Sequence, residues 1–473
     1  MATIIRRETK TGPAFKVQVK VKNKGSGKIE VHATTWKPAE GMTEKQMQWE
    51  VQKFAEEYET NMRNTITMNY ASGISGDMLV KEYANWWLER RKSEISASYY
   101  SNCKSSIEII NEGIGGFKLR ELNPIIIQQF YDQIDQKKKE VVVVTPKPKL
   151  KETMKAKNMG YQVLRYEKGF NSSTLSNALR GDRVSLDYAE RLSACLGEKT
   201  EHLFKITRTM EPYAFETIHK VKRTLRVILA TAKRQLIISE NYAKADFLTF
   251  PKRPPREIDY MNDEEATRFY AAADRYHDIR LKTAALTLLL TGIRRGELTG
   301  LEWGDIDLKK GTLKVQRSVT TVGGIGRIEK DPKTASSKRV LSISDKLISV
   351  LKEYRHWYIQ YRLNVGDRWT PTDRLFIAED GKPINPGTID NWVDKICDAA
   401  GLPHRTVHSL RHTNITMQIA AGVPLVTVSG RAGHARTSTT ADIYSHFLRS
   451  SDKTAAEKLE QVFEENSKNL GAN

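Results

Sequence analysis

Residues 433–446 read Gly-His-Ala-Arg-Thr-Ser-Thr-Thr-Ala-Asp-Ile-Tyr-Ser-His, and the rest of the chain can be organised around the tyrosine, Tyr444. A lone tyrosine says little, because most tyrosines are half buried with the hydroxyl bonded to a partner. Here His434 lies ten residues upstream, and two earlier motifs, His-Ser-Leu-Arg at 408–411 and Thr-Gly-Ile-Arg-Arg-Gly-Glu-Leu at 291–298, add arginines and a second histidine. This set suits attack on a phosphodiester, so we expect the N-terminal part of the chain to place DNA before that hydroxyl.

The length and the net charge of the chain are consistent with a multidomain protein that binds nucleic acid. With 473 residues the chain is too long for one core, which indicates about three domains. The net charge of +19 favours a polyanionic partner, most often nucleic acid. A merely basic protein is the alternative that charge alone leaves open.

The cysteines and the N-terminus predict the compartment. Cys103, Cys195 and Cys397 are far apart and form no CxxC pair, which argues against a disulfide framework or a zinc site and fits a reducing cytosol. We find no signal-peptide pattern at the N-terminus and no apolar run of the roughly 20 residues that a membrane span needs. These features predict a cytoplasmic protein.

The first 65 residues predict a small ββ(β)α domain. Residues 15–22 and 29–36 alternate apolar and polar side chains as strands do, and Thr43 is placed to cap a helix that runs to about Asn61. Lys20 and Lys22 lie on the polar strand face, which could enter a DNA groove. A solvated strand face is the alternative.

Residues 62–77 are predicted to be a linker, after which a four-helix domain occupies residues 78–140 and 208–245. Three helices fall between 78 and 134, the third capped by Asn123-Pro124. A fourth, basic helix is predicted from about Tyr213 to Ile238. Lys222 and Arg226 on that helix are candidate DNA contacts.

An insert interrupts this domain. Residues 137–149 are predicted to be an exit linker, and residues 147–206 to form five short helices. The stretch 171–181, Asn-Ser-Ser-Thr-Leu-Ser-Asn-Ala-Leu-Arg-Gly, resembles the recognition helix of repressor-type helix-turn-helix domains, although Arg165 and Lys168 depart from the usual pattern before the turn. The resemblance implies DNA contacts by Ser172, Ser173, Asn177 and Arg180. A protein-binding module is the alternative.

A second large domain is predicted over residues 255–450. Before it, Lys252 and Arg253 lie in a Pro/Lys/Arg linker suited to crossing a phosphate backbone. The stretch Met-Asn-Asp-Glu-Glu at 261–265 is predicted to cap the first helix of the domain. Residues 311–319 and 339–343 are predicted strands, and Lys333 between them would, taken alone, be a surface charge.

Two motifs in this domain carry chemistry. Arg294 follows a tight turn after an apolar helix, where a buried guanidinium is costly unless it meets an anion such as phosphate. A structural ion pair with Glu297 is the alternative. His408 and Arg411 are spaced i, i+3 on one predicted helix face. A short helix is predicted at 423–429, and Tyr444 lies inside a helix that starts near Ser438.

Together these motifs resemble the tyrosine recombinase (phage integrase) family over residues 78–136 and 208–450. All six catalytic positions of the family are matched, although Ala432 replaces the usual leucine before Gly433-His434. The matched positions are Arg294, Lys333, His408, Arg411, His434 and Tyr444. The N-terminal unit resembles the arm-site-binding domain of integrases from conjugative transposons and prophages of Gram-positive bacteria.

The resemblance implies a mechanism and an architecture. Tyr444 would form a phosphotyrosine without metal, ATP or another cofactor, the arginines would bind the phosphate, Lys333 would be the general acid, and the histidines would assist. Arg295 and His412 are expected to point elsewhere. The implied fold is multidomain: an arm-binding domain (1–65), an all-α SAM-like core-binding domain with a helix-turn-helix insert, a mainly-α catalytic domain with a small antiparallel sheet (255–450), and a C-terminal tail helix (451–473).

The predicted function is a site-specific integrase in the bacterial cytoplasm, at the nucleoid. It would act on double-stranded DNA at core and arm sites as a homotetramer, with an accessory directionality factor as a further partner. The alternatives are a non-enzymatic DNA-binding regulator and a resolvase of chromosome or plasmid dimers.

Overall fold

The computed structural model describes residues 2–9, 12–22, 29–39, 41–71, 73–249, 259–323, 325–330 and 338–443, together with 460 and 463. The chain divides into two units, residues 1–253 and 254–473.

The N-terminal part of the first unit is a three-stranded antiparallel sheet with one helix. The strands β1 (Thr3–Thr9), β2 (Gly12–Lys22) and β3 (Ile29–Trp36) pair in that order, and α1 (Glu44–Ala71) packs against β2 and β1. Alternation along β2 buries Phe15 and Val17 and exposes Lys20, as the sequence predicts. The predicted linker at 62–77 is wrong in its first part, because α1 continues to Ala71; no glycine or proline interrupts residues 62–71.

Three helices follow: α2 (Val80–Arg90), α3 (Ala97–Ile114) and α4 (Pro124–Gln136). Asn123 caps α4 through its side-chain oxygen, which accepts from the N–H of Ile126 at 3.0 Å, as predicted from Asn-Pro.

The predicted exit linker at 137–149 is wrong. Residues Lys138–Pro146 form β4, which pairs antiparallel along its whole length with β5 (Phe204–Pro212). Four consecutive valines, Val141–Val144, favour this extended backbone over a flexible linker. The insert therefore stands on a two-stranded stalk.

Between the two stalk strands lie five short helical segments at the predicted places. They are α5 (Lys149–Ala156), a π-helical turn (Val163–Glu167), α6 (Ser172–Arg180), α7 (Leu186–Cys195) and α8 (Thr200–Leu203). Leu164, Leu175, Leu192 and Phe204 are at most 1% exposed and belong to a shared core. The insert thus has a hydrophobic core of its own.

The chain then enters α9 (Phe215–Arg234), which packs on α3 and is shorter than the predicted helix from Tyr213 to Ile238. Val221, Leu225 and Ile228 face the core of the helical domain. Lys222 is 7% exposed rather than on a basic outer face, because its ammonium lies 2.9 Å from both carboxylate oxygens of Asp135.

The second unit is mainly helical. It contains α10 (Asp263–Asp274), α11 (Ile279–Thr291), α12 (Arg295–Gly300), β6 (Ile306–Asp307), β7 (Thr312–Val315), β8 (Ser318–Val322), β9 (Gly326–Lys330), β10 (Arg339–Ser342), α13 (Asp345–Val365), α14 (Pro386–Ala400), α15 (Val407–Ala420), α16 (Leu425–Ala432) and α17 (Thr437–Ile443). The strands form an antiparallel sheet of order β10-β7-β6 and a separate hairpin, β8–β9. Helix α11 lies at the centre, packed by α10, α13, α14 and α15.

Two predictions in this unit need correction. The single strand predicted at 311–319 is broken, because Gln316 and Arg317 turn their side chains to the buried carboxylate of Asp305, at 2.8 and 2.6 Å. The helix predicted at 423–429 begins at Leu425 and runs to Ala432, since Pro424 stands before its first turn. The cap of α10 predicted within residues 261–265 is confirmed: Asn262 is the N-cap residue, and Glu265 completes a capping box.

The three cysteines are free. Within the described part of the chain, no helix combines the length and the apolar character required to cross a membrane.

Candidate active site

Arg294 stands at the turn between α11 and α12. Gly292 ends α11 with φ +66°, and a Cβ at this position would lie 2.4 Å from the side-chain oxygen of Asn414. Only glycine satisfies both conditions without strain. The turn directs the guanidinium of Arg294 to the surface, where the side chain is 40% exposed.

The carboxylate of Glu297 holds this arginine. Its Oε1 accepts from Nη1 of Arg294 at 2.8 Å, and its Oε2 accepts from the backbone N–H of Arg294 at 2.9 Å. Burial opposes ionisation of Glu297, but hydrogen bonds and charge from Arg339, with help from Arg294, lower its pKa overall. The ion pair foreseen as an alternative is therefore present, and it holds the arginine in place at the surface.

Arg411 lies on α15 and is 2% exposed. Its Nη1 donates to the carbonyl of Gly292 at 2.7 Å, and its Nη2 donates to the carbonyl of Ala432 at 2.5 Å. Two backbone carbonyls thus fix the plane of the guanidinium, which keeps its positive charge because arginine does not deprotonate in proteins.

Arg294, His408 and Arg411 line one cleft of about 570 Å³, so the structure brings together three of the six predicted positions. Ser318 and Thr320 of the β8–β9 hairpin also line it. A cleft lined by several arginines is suited to an anionic group.

Arg295, expected to point elsewhere, does not, whereas His412 contacts His408 without lining the cleft. Arg295 lines the same cleft and forms an ion pair with Asp390. The ring of His412 stacks edge-on against that of His408, with centroids 4.4 Å apart. Spacing by four residues places these two rings on the same face of α15.

His434 follows the C-terminal glycine of α16 and bonds to α17. Its Nδ1 lies 2.7 Å from the hydroxyl of Thr440, which is fully buried. Burial, followed by the positive charges of Arg411 and Arg294, lowers the pKa of His434 to about 4. The imidazole is therefore neutral at physiological pH.

We expect this neutral histidine to make stability fall in acid. The pKa of His434 in the folded state is below its ordinary value of about 6.5, so the unfolded chain takes up a proton first as the pH falls from 6.5 toward 4. Thermal unfolding between pH 7 and pH 4.5 should therefore show a loss of stability that is smaller in His434→Gln. An equal loss in both proteins would contradict a lowered pKa.

Several predicted residues lie outside the described residues. Lys333 and Tyr444 are two of these, as are Lys252 and Arg253 of the interdomain segment. Lys22, Ser172 and Ser173 belong to described elements, but their side chains lie outside the description.

The remaining predicted DNA contacts divide into exposed and sequestered groups. Lys20 and Arg226 are exposed. Arg180 is also exposed, and it donates to Asp182 at 2.9 Å and to the side-chain oxygen of Asn177 at 2.7 Å. Lys222 is buried, with its ammonium against Asp135, and its contact with DNA stays a prediction.

The sequence interpretation missed Arg339 and Thr440. The side chains of both are almost fully buried. Thr440 contacts the predicted site residue His434, and Arg339 contacts Glu297, the carboxylate that holds Arg294. The position of Arg339 depends on long-range packing, and the only local signal for Thr440 is that it precedes Tyr444 by four residues in the sequence.

Two regions of the chain match known protein families. Residues 259–450 match the phage integrase family, and residues 79–134 match the phage integrase N-terminal SAM-like domain. A XerC-like tyrosine recombinase of Caldanaerobacter subterraneus subsp. tengcongensis is 33% identical over 263 residues, and the ICEBs1 integrase of Bacillus subtilis is 25% identical over 247 residues. Each of these matches covers 52% of this chain and 66% of the relative, just under two thirds of its length.

Among solved structures, the Tn1549 transposon integrase in complex with transposon right end DNA aligns with a TM-score of 0.54 at 18% identity. The alignment covers 81% of this chain and 100% of the other. At this identity the match establishes a shared fold: a helical SAM-like domain and a mainly-α domain with small antiparallel sheets.

Proposed function

Because residues 259–450 belong to the phage integrase, or tyrosine recombinase, family, we propose that this protein is a site-specific DNA recombinase that integrates and excises a mobile element. The observation that carries the proposal is the cleft in which Arg294, His408 and Arg411 meet. A non-enzymatic regulator would not need the guanidinium groups of Arg294 and Arg411 to be held in fixed positions at such a cleft.

The proposed reaction is a transesterification. The hydroxyl oxygen of Tyr444 bonds to the scissile phosphorus, and the bond from phosphorus to the 5′ oxygen breaks, which leaves a 3′-phosphotyrosine and a free 5′ hydroxyl. Lys333 gives the proton to the departing 5′ oxygen. Attack by the 5′ hydroxyl of another strand reverses these steps, so bond energy is conserved and no cofactor is needed.

The site supplies charge and orientation to this reaction. Arg294 and Arg411 bind the non-bridging oxygens and stabilise the extra negative charge of the pentavalent state. His434 is neutral, so it can hydrogen-bond the phosphate without adding to the positive charge of the site. His408 activates Tyr444 by accepting the phenolic proton as the oxygen bonds to phosphorus.

Recombination of two duplexes requires four strand cleavages, so we propose a homotetramer on double-stranded DNA at core and arm sites, with an accessory factor setting direction. A DNA substrate places the protein at the bacterial nucleoid. Lys20 and Lys22 of the N-terminal sheet would contact arm sites. Arg226 with Lys252 and Arg253 would contact the backbone of the core site.

We further propose that the insert at 147–206 is a helix-turn-helix domain that binds DNA through α6. The exposed Arg180 at the end of that helix and the adjacent Asn177 support this role. Ser172 and Ser173 begin the same helix.

The function is tested by trapping the intermediate. A nicked duplex that carries the element's own core site loses the 5′ fragment after cleavage, so religation is prevented and the protein remains bound covalently. We expect an adduct that survives denaturing electrophoresis. If the wild-type protein forms no adduct on its own attachment site, the enzymatic function is refuted.

Removing the insert is expected to leave this cleavage measurable and to change site choice or assembly. Val142 pairs with Arg208 in the stalk, so an Asn-Gly turn can replace residues 143–207 and leave a short hairpin. Because the deletion removes every buried residue of the insert's hydrophobic core, no part of that core is left exposed to solvent. Suicide-substrate cleavage and recombination of full attachment sites would be measured side by side. A truncated protein that does not fold would show that the insert is integral to the helical domain.

A further inference from the structure

Three consecutive carbonyls at the C-terminal end of α16 each accept a hydrogen bond from a different arginine. Residues 431, 432 and 433 are bonded, in order, by Nε of Arg339 at 2.7 Å, Nη2 of Arg411 at 2.5 Å and Nη2 of Arg294 at 3.1 Å. The last carbonyls of a helix have no partner within it and carry partial negative charge, so cations are favoured here. Two of the three arginines belong to the proposed mechanism, and Arg339 does not.

Arg339 lies on β10 and is also bonded to the carboxylate that holds Arg294. Its Nη1 and Nη2 donate to the two oxygens of Glu297 at 3.1 and 2.8 Å, and the side chain is only 7% exposed. Glu297 therefore lies between two arginines, one buried and one facing the cleft.

The surroundings leave little room for another arrangement. Gly433 has φ +67°, and a Cβ at this position would lie 2.8 Å from Nη1 of Arg339. Arg431 in turn donates to the carbonyl of Ser342, on the same strand as Arg339, at 3.3 Å. Strand β10 and the end of α16 are thus joined at two points.

We propose that Arg339 is a positioning residue for the strand cleavage put forward above. Arg339 neutralises part of the negative charge of Glu297 and fixes the carbonyl of residue 431. Glu297 and the carbonyl of Gly433 then hold Arg294 in place, and the other N–H groups of its guanidinium bind the phosphate. The proposal rests on the proposed recombinase function.

The role of Arg339 follows from the cost of a buried carboxylate. Without Arg339, Glu297 would have a single guanidinium partner, and a buried charge that loses a partner draws the other one closer. Arg294 would then shift toward Glu297 and away from the cleft. A displacement of about 1 Å in a positioning group can lower a rate on the order of a hundredfold.

The test compares Arg339→Met with wild type in single-turnover cleavage of the nicked substrate. We expect the rate to fall on the order of a hundredfold with DNA affinity unchanged. Arg405→Met is the matched control, because Arg405 is an ion-paired arginine of the same unit, bonded to Asp259 and Glu265, and does not line the cleft. It should cleave at nearly the wild-type rate.

A second substitution separates positioning from general damage. In Arg339→Met, adding Glu297→Gln removes the uncompensated carboxylate and should restore part of the lost rate. Rates are compared at a temperature where every variant is fully folded, so a change in stability alone cannot produce the recovery. If Arg339→Met does not fold, Arg339→Lys serves instead, with the same comparison in the Glu297→Gln background. Wild-type rates in Arg339→Met, or purely additive losses in the double variant, overturn the inference. Absence of cleavage by the wild type would instead refute the recombinase function.

Discussion

Tyr444→Phe is expected to abolish the covalent protein–DNA adduct completely and to leave DNA binding unchanged. The change removes one oxygen atom, the proposed nucleophile, and phenylalanine has no other group that could attack phosphorus. The arginines that bind the phosphate are unaffected, so the affinity for the core site should stay at the wild-type value. Adduct formation would be measured on the nicked substrate, and affinity by gel shift at a fixed salt concentration.

Tyr361→Phe is a suitable control for this experiment. Its hydroxyl donates to the carbonyl of Glu379 at 3.0 Å, in the same unit, and Tyr361 does not line the cleft. The control should form the adduct normally. Adduct formation by Tyr444→Phe would show that another residue is the nucleophile, and loss of DNA binding would show that the tyrosine does more than attack.

Local sequence rules predicted the parts of the fold that depend on neighbouring residues. The alternation in β2, the Asn-Pro start of α4 and the Asn262 cap each describe contacts within a few residues, and each is confirmed. The stalk is different, because β4 and β5 pair across an insert of more than 50 residues and neither strand shows its partner. The valines of β4 favour a strand, but the adjacent lysines and prolines favoured the interpretation as a linker.

The candidate site shows the same difference between what local sequence predicts and what depends on long-range contacts. Motif spacing placed Arg294, His408 and Arg411, which the structure brings to one cleft. Spacing could not show that Arg339 contacts Glu297, because the contact joins a strand to a distant helix. The burial of Lys222 is not visible in the sequence for a related reason: a lysine on a basic helix is normally solvated, and only tertiary packing reveals Asp135 beside it.

Arg411→Lys is expected to lower the cleavage rate on the order of a hundredfold or more, with a smaller effect on DNA affinity. The guanidinium of Arg411 bonds two carbonyls at once, those of Gly292 and Ala432. A lysine ammonium is a point donor on a flexible chain and cannot reproduce this planar arrangement, so the charge would remain but its position would not. The measurement is single-turnover cleavage at saturating protein.

Because Arg411 is buried, its substitution also affects stability, and a matched variant must separate the two effects. Arg374 is 9% exposed, donates to the carbonyl of Gly300 at 2.6 Å and lies outside the cleft. Arg374→Lys should lose comparable stability but little cleavage at a temperature well below both unfolding transitions. A similar fall in rate for both variants would mean that Arg411 acts through the fold; a fall confined to Arg411→Lys would mean that the position of its charge is what the cleavage step requires.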